Sequence, residues 1–566
     1  MLTQIFSKYF LILFFLFLTS NIFSYSNDPV RGKNGMVVSA SKIASQVGID
    51  ILRKGGNAID AAAAVGFALA VTYPSAGNIG GGGFMVIHLQ DGRNTTIDFR
   101  EIAPKIVNEF IYQDSLGNIL PDKSQFGVTS SGIPGSVAGL LYALNKFGTM
   151  SLEEVIQPAI DLARNGFELE YRLAKSLEYE LEYFNQYPST KIIFTKDGFA
   201  YKENDILIQN DLANTLERIK QFGFNGFYKG KTAELISNQI KSDGGYISIE
   251  DLADYTPIER KPILTDYKGY SVLTMGPPSG GGVTLLQMLN ILENISFDKK
   301  EWGSSKYIHY LVESMKYSFA DRSKHIGDPD FFNVPIDWLL SKKYAKELFD
   351  KIDSLAIPST QILPGEILSY KESEETTHYS VIDKFGNVVS TTTTINSSYG
   401  SKVVVEGAGF LLNNEMDDFS SKPGVPNQFG LVGSEANKIE PGKRMLSSMS
   451  PTIILKDEKP YLIIGTPGGS TISTIVLQVI LNVLDFDMNI QQAIDAPHIH
   501  HQWLPDRIDY EEFGLSDDVI QNLQSNGHIL GNERSLGRCE GIMIDNKNGI
   551  YFGATDSRGF GAAIGY

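Results

Sequence analysis

The stretch from Thr376 to Asn396 leaves this chain few folds to choose from. Its two runs, TTHYSVID and NVVSTTTTI, are rich in β-branched residues and are joined through Lys384-Phe385-Gly386-Asn387. Such runs favour strands, and Gly386 can take the positive φ that a short hairpin needs. With a three-residue loop Asp383 faces Asn387, and counting back sets Thr376 opposite Thr394. With a two-residue loop the partner is Ile395. In either register the first strand begins beside Thr394 and Asn396. PTIIL and PYLIIGT read as further strands. The stretch Ser151 to Lys241 reads as mostly helical, and Ala44 to Val71 as one long helix with a soft spot at Gly55-Gly56. Helices, then Thr- and Val-rich strands, then helix again predict a layered α/β protein. No period of 20 to 50 residues marks a solenoid.

Composition narrows the function. Lys and Arg number 49 against 66 Asp and Glu, a net charge of −17. That argues against nucleic acid, which selects a basic footprint. At 42% hydrophobic and 20% charged residues the chain is ordinary for a globular protein, not a disordered one. Cys539 is the single cysteine, so neither an intramolecular disulfide nor a cysteine-based zinc site is available. Tyr9 to Leu18 is an apolar run preceded by Lys8, too short to span a bilayer. With the small-x-small site Ser24-Tyr25-Ser26 it reads as a signal peptide over 1–26, cleaved after Ser26. The expectation is an exported protein, periplasmic or secreted, with no membrane span after processing.

Several familiar chemistries have no candidate. There is no G-x-S-x-G elbow and no H-E-x-x-H pair. The glycines at Gly77 to Gly83 precede a strand, the wrong order for a dinucleotide fingerprint; a close backbone approach is the expected reason for them. Gly276 to Gly282 precede the helical run VTLLQMLNIL. His498, His500 and His501 form HIHH without an obvious further ligand, and a polar corner beside Trp503 is the favoured reading; no metal and no cofactor is expected.

What remains is nucleophilic. Pro358 to Glu375 is polar and lacks periodicity, as an exposed connector does. If the chain is cut before Thr376, that residue carries a hydroxyl and a free α-amine together. The amine titrates near 7.7–8 and can serve as the hydroxyl's own base. Thr394 could orient the hydroxyl. Gly465 to Ser470 ends a strand and opens a helix, leaving backbone N–H groups to face an anion. No Lys follows the glycines, so an oxyanion hole at Gly468 and Gly469 is the surviving reading.

Together with NIGGGGF at Asn78, DFRE at Asp98, PPSGGG at Pro277, LLNNEMDDFS at Leu411, PGVPN at Pro423, LSSMSPTI at Leu446, GTPGGS at Gly465 and APHIHHQWLPD at Ala496, the TTHYSV motif makes the sequence resemble the γ-glutamyltransferases of the N-terminal-nucleophile hydrolase superfamily. The resemblance covers nearly everything after the signal. It implies an αββα sandwich and a precursor that cuts itself between Glu375 and Thr376. The products would be a large subunit, 27–375, and a small one, 376–566, held as a heterodimer. It implies attack by Thr376 on the γ-glutamyl amide of glutathione and related compounds. Water or an amino acid or dipeptide acceptor would then take the γ-glutamyl group. Arg100, Ser447 and Ser448 would hold the donor's α-carboxylate, and Asn396, Glu415 and Asp418 its α-ammonium. Some relatives carry Gln at the Glu415 position, and many bacterial relatives carry Tyr where Phe429 stands in the lid. Rival expectations are a glutaryl-type amide acylase, which would need no ammonium pocket, and a ligand-binding relative without catalysis.

Overall fold

The computed structural model describes residues 27–362 and 376–566. The signal-like segment 1–26 and Glu375 lie outside the described residues.

Two antiparallel sheets of seven strands form the centre. One runs in the order Val30–Gly32, Ile550–Thr555, Glu540–Asp545, Lys459–Gly465, Thr452–Lys456, Tyr270–Thr274, Ile263–Tyr267. The other runs Ala562–Gly565, Gly35–Ser39, Thr377–Asp383, Val388–Thr394, Gly82–His88, Asn94–Asp98, Ile258–Arg260. The period of two along each strand divides the side chains between layers. Met36, Val38, Val86 and Ile382 of one sheet meet Leu273, Ile453, Ile463 and Ile542 of the other in the space between them. Each such burial stabilises by roughly 1.5–3 kcal/mol. The alternate residues Val37, Met85, Ile87 and Val381 face outward onto helices Lys42–Arg53, Ala58–Thr72 and Ser136–Phe147. On the far side Val272, Ile454, Leu462 and Ile464 face Gly280–Leu292, Ser305–His325 and Ile472–Leu484. The result is four layers, αββα.

The expected single helix from Ala44 to Val71 is two. It stops at Arg53, Gly55 takes φ +100°, and a new helix begins at Ala58. Asn57 caps that start, accepting from Ile59 and Asp60 N–H, which a continuous helix would have committed elsewhere. The hairpin adopts the three-residue loop. Thr377 pairs with Thr393 and Ile382 with Val388, Gly386 has φ +93°, and Asp383 accepts from Phe385 and Asn387 N–H. Its other oxygen accepts from Ala58 N–H at 2.9 Å, tying the turn to the helix start. Among the described residues no helix is long and apolar enough to cross a membrane.

Candidate active site

The register carries back one step to set Thr376 against Thr394. Ile382 points into the space between the sheets, so by alternation Thr376 also lies on that face, at its open end. The two threonines line a cavity with Arg100, Asn396, Glu415, Asp418, Ser447, Ser448 and Gly469. Gly468 adjoins it through Gly469. Every residue singled out for the site, Glu375 apart, thus converges on one place.

Close backbone approach explains the first glycine loop. A Cβ on Gly81 would lie 2.1 Å from the Thr394 carbonyl oxygen, and one on Gly83 would lie 2.4 Å from that of Thr392. The loop is pressed against the strand that carries Thr394, and Asn78 Nδ2 donates to the Thr394 carbonyl at 3.0 Å. The second loop does the same for the serines. Gly280 and Gly281 N–H both donate to the Ser447 carbonyl, at 2.7 and 3.1 Å. A Cβ on Gly281 would stand 1.9 Å from the Ser448 carbonyl oxygen.

Arg100 is fully buried and differs from expectation in its company. Its Nη1 lies 2.6 Å from Glu415 and 3.3 Å from Glu101, and its Nη2 lies 2.5 Å from Asp418. Nε and Nη2 also reach the carbonyls of Met445 and Leu446 at 3.3 Å. The two carboxylates expected to be joined only by a bound ammonium are therefore already joined by Arg100, because Asp98 to Glu101 and Glu415 to Asp418 meet in the fold. Glu101 is a third member that the sequence reading assigned no role. Burial, opposed by Arg100, pushes its carboxyl up to about 7. Burial raises Glu415 well above the usual range and Asp418 in the same direction, with neighbouring carboxylates adding to the rise in Glu415. Burial works against the charge of Arg100, but the three carboxylates outweigh it and raise its pKa. Oxygens of Glu101 and Glu415 remain buried without an aligned donor. The cluster is thus short of cations and hydrogen-bond donors.

Asn396 adopts φ +75°. Its N–H donates to Thr394 Oγ1 at 2.7 Å and its Nδ2 to the Asn414 carbonyl at 3.0 Å. One Nδ2 hydrogen is so engaged, which orients the side chain and leaves its carbonyl oxygen and the other hydrogen for a ligand. Gly468 and Gly469 have φ of +139° and +52°, values few other residues adopt, and they turn the chain from strand Lys459–Gly465 toward helix Ile472–Leu484. Phe429 is buried and sits over Gly469, where a Cβ would be 3.0 Å from its ring. Hydrogen bonds from neighbouring residues hold the backbone around Phe429. Gln502 Nε2 donates to the Phe429 carbonyl at 3.1 Å, and Asn427 Oδ1 accepts from Phe429 and Leu431 N–H. Asn427 Nδ2 donates to Asp418 Oδ1 at 3.2 Å.

Arg322 also lines the cavity, and the sequence reading passed over it. In sequence it looks like one of the charges of a last helical turn. The histidines do not converge. His500 pairs with Thr474 and Gln502, His501 with Asp506 at 3.2 Å, and His498 lies 3.6 Å from Glu511. A different group, His309, Glu313 and His528, has its ligand atoms within 4.8 Å of one another. His309 Nδ1 and His528 Nε2 are 2.8 Å apart, and Lys316 lies 2.9 Å from Glu313. That network is hydrogen-bonded and carries its own cation.

The four layers and their antiparallel sheets are of the N-terminal-nucleophile hydrolase type. The chain belongs to the γ-glutamyltranspeptidase family: the model described as Gamma-glutamyltranspeptidase matches residues 44–566, and the protein is an enzyme. It is 49% identical over 532 residues to the glutathione hydrolase proenzyme of Escherichia coli strain K12, covering 94% of this chain and 91% of that protein. Its fold matches the crystal structure of cephalosporin acylase from Bacillus halodurans with a TM-score of 0.86 at 28% identity, covering 97% of this chain and 98% of that one. It also matches the Helicobacter pylori γ-glutamyltranspeptidase structure with a TM-score of 0.57 at 45% identity, covering 61% of this chain and 97% of that one.

Proposed function

We propose that the protein is an exported, self-processing γ-glutamyltransferase that cleaves glutathione and related γ-glutamyl compounds. The chain is cut between Glu375 and Thr376, giving a large subunit, 27–375, and a small subunit, 376–566. The freed α-amine of Thr376 takes the proton of its own hydroxyl. Oγ attacks the γ-carbonyl, and the oxyanion is met by backbone N–H groups at Gly468 and Gly469. The C–N bond breaks, the amine leaves with the proton, and a γ-glutamyl ester of Thr376 remains. Water releases glutamate; an amino acid or dipeptide amine forms a new amide. Thr394 orients the nucleophile. Arg100, Ser447 and Ser448 hold the α-carboxylate, while Asn396, Glu415 and Asp418 face the α-ammonium.

The observation that carries this reading is the pair of carboxylates, Glu415 and Asp418, in the cavity that Thr376 lines, which share the one guanidinium of Arg100 with Glu101 behind it. A glutaryl group, which has no ammonium, gains nothing from such a cluster, and this weighs against the acylase alternative. The signal-like residues 1–26 support export. The test is a denaturing gel of the purified protein combined with release of aniline from γ-glutamyl and glutaryl anilides. Two chains and a preference for the γ-glutamyl compound are expected. A single chain, or preference for the glutaryl compound, overturns the reading.

A further inference from the structure

Gly468 and Gly469 stand between two threonines that turn their hydroxyls onto the loop itself. Thr466 follows strand Lys459–Gly465, and Thr471 precedes helix Ile472–Leu484. Both are fully buried, and neither lines the cavity. Thr466 Oγ1 donates to the Pro467 carbonyl at 2.8 Å, and Thr471 Oγ1 donates to the Gly468 carbonyl at 2.7 Å. A peptide unit is planar, and in its trans form the C=O and N–H point in opposite directions. The Pro467 carbonyl shares its peptide with the Gly468 N–H, and the Gly468 carbonyl shares its peptide with the Gly469 N–H. Each hydroxyl therefore holds the plane of one N–H donor. Among the described residues neither glycine N–H donates to a backbone carbonyl, so the carbonyl side is where these planes are held.

Neither hydroxyl does what its position alone predicts. A Thr just before a helix ordinarily accepts from N–H groups of the first turn. Thr471 makes no such cap; it points back to Gly468, whose carbonyl also accepts from the Thr471 N–H at 2.9 Å. Thr466 Oγ1 accepts from the Arg538 N–H at 3.0 Å, and its one hydrogen goes to Pro467. Gly537 leaves room for this: a Cβ there would lie 2.8 Å from Thr466 Oγ1. Two adjacent glycines give the loop its turn at the cost of stiffness. The threonine hydroxyls restore that stiffness from outside the cavity.

We propose that Thr466 and Thr471 are positioning residues that set the Gly468 and Gly469 N–H groups for the oxyanion without touching the donor. This rests on the reading of the two glycines as the oxyanion hole. Donors held in place need no rotation as charge develops on the carbonyl oxygen. A loosened loop weakens the transition states of both acylation and deacylation. It leaves ground-state binding of the donor, which other residues provide, in place.

The test is steady-state hydrolysis of a γ-glutamyl anilide by Thr466→Val and Thr471→Val, which keep the shape and lose the hydroxyl, beside Thr466→Ser and Thr471→Ser, which keep the hydroxyl. In each Val variant kcat should fall by about tenfold to a hundredfold, short of the roughly hundredfold to thousandfold cost of losing a whole oxyanion donor. KM, and the inhibition constant of free glutamate, which occupies the donor site without forming an oxyanion, should stay within about threefold. Each Ser variant should return kcat to within about threefold of the wild type. Rates are taken per processed chain, read on a denaturing gel. An unchanged kcat in a Val variant strikes that threonine from the assignment. So does a KM and glutamate constant that rise in step with the loss of kcat, a Ser variant no better than the Val one, or a Val variant left uncut, since these mark a part in the fold or in maturation. A wild type that is uncut or inactive on the anilide removes the underlying reading instead.

Discussion

Glu415 lies 2.6 Å from Nη1 of Arg100 with both side chains fully buried. The guanidinium cannot fully neutralise it, because Asp418 and Glu101 draw on the same charge. Burial and these neighbours favour the protonated form of Glu415. Glu415→Gln keeps nearly the same shape and removes the ionisable proton whose retention burial favours. Donor kcat/KM should stay within about fivefold, and stability should change by less than about 1 kcal/mol. Steady-state kinetics and thermal unfolding read both. A hundredfold loss would mean that Glu415 works ionised.

Asp418 should behave differently, since it holds Arg100 with one oxygen and Asn427 with the other. Asp418→Asn should still process into two chains. It should lose roughly tenfold to a hundredfold in kcat/KM on a γ-glutamyl anilide and much less on a glutaryl anilide, which never made the ammonium contact. Matched anilide kinetics decide this, and equal losses would count against an ammonium-binding role.

Glu101 gives the cluster a pH dependence. Its folded pKa of about 7 lies above the unfolded value, so between the two the folded state holds the extra proton. Stability from this group is therefore full below about 4.5 and is lost as pH rises through about 7. Relative to Glu101→Gln, the wild type should lose on the order of 1–3 kcal/mol between pH 5 and pH 8. Denaturant unfolding of both proteins at several pH values measures the difference, and parallel curves would show that Glu101 does not titrate there.

Thr376→Ala removes the attacking hydroxyl. It should remain one uncut chain on a denaturing gel and release no aniline. Two chains with activity would place the nucleophile elsewhere.

Gly281→Ala tests the serine shelf without touching a charge. The new Cβ would meet the Ser448 carbonyl oxygen at 1.9 Å, a clash with backbone that cannot turn aside. A loss of about 1–3 kcal/mol is expected, with a raised donor KM as Ser447 and Ser448 move. An unchanged melting temperature and KM would contradict the packing described.

The hairpin was legible because its register depends on local facts, a turn glycine and a period of two. The glycine loops were legible as close approaches, though not what they approach. The charge cluster was legible only as separate motifs. Arg100 and Glu415 are far apart in the chain, and neither shows in sequence that the other will share its charge. Arg322 was missed for a related reason. Its helix carries charges on either side in KYSFADRSK, and nothing in that pattern says that this one arginine is buried. The break near Gly55 was misread as a soft spot because the apolar pattern continues on both sides, while Asn57 and its cap end the first helix.

The strand order would give a cut before Thr376 a particular mechanical meaning. In one sheet, strands from before residue 363 and after residue 375 abut at Val30–Gly32 with Ile550–Thr555 and at Tyr270–Thr274 with Thr452–Lys456. In the other they abut at Gly35–Ser39 with both Ala562–Gly565 and Thr377–Asp383, and at Gly82–His88 with Val388–Thr394. Two fragments made by a cut before Thr376 would be interwoven like cloth from two threads. Dilution alone could not part them, since separation would unravel both sheets at once. Their lifetime as a pair would be the unfolding time of the whole molecule.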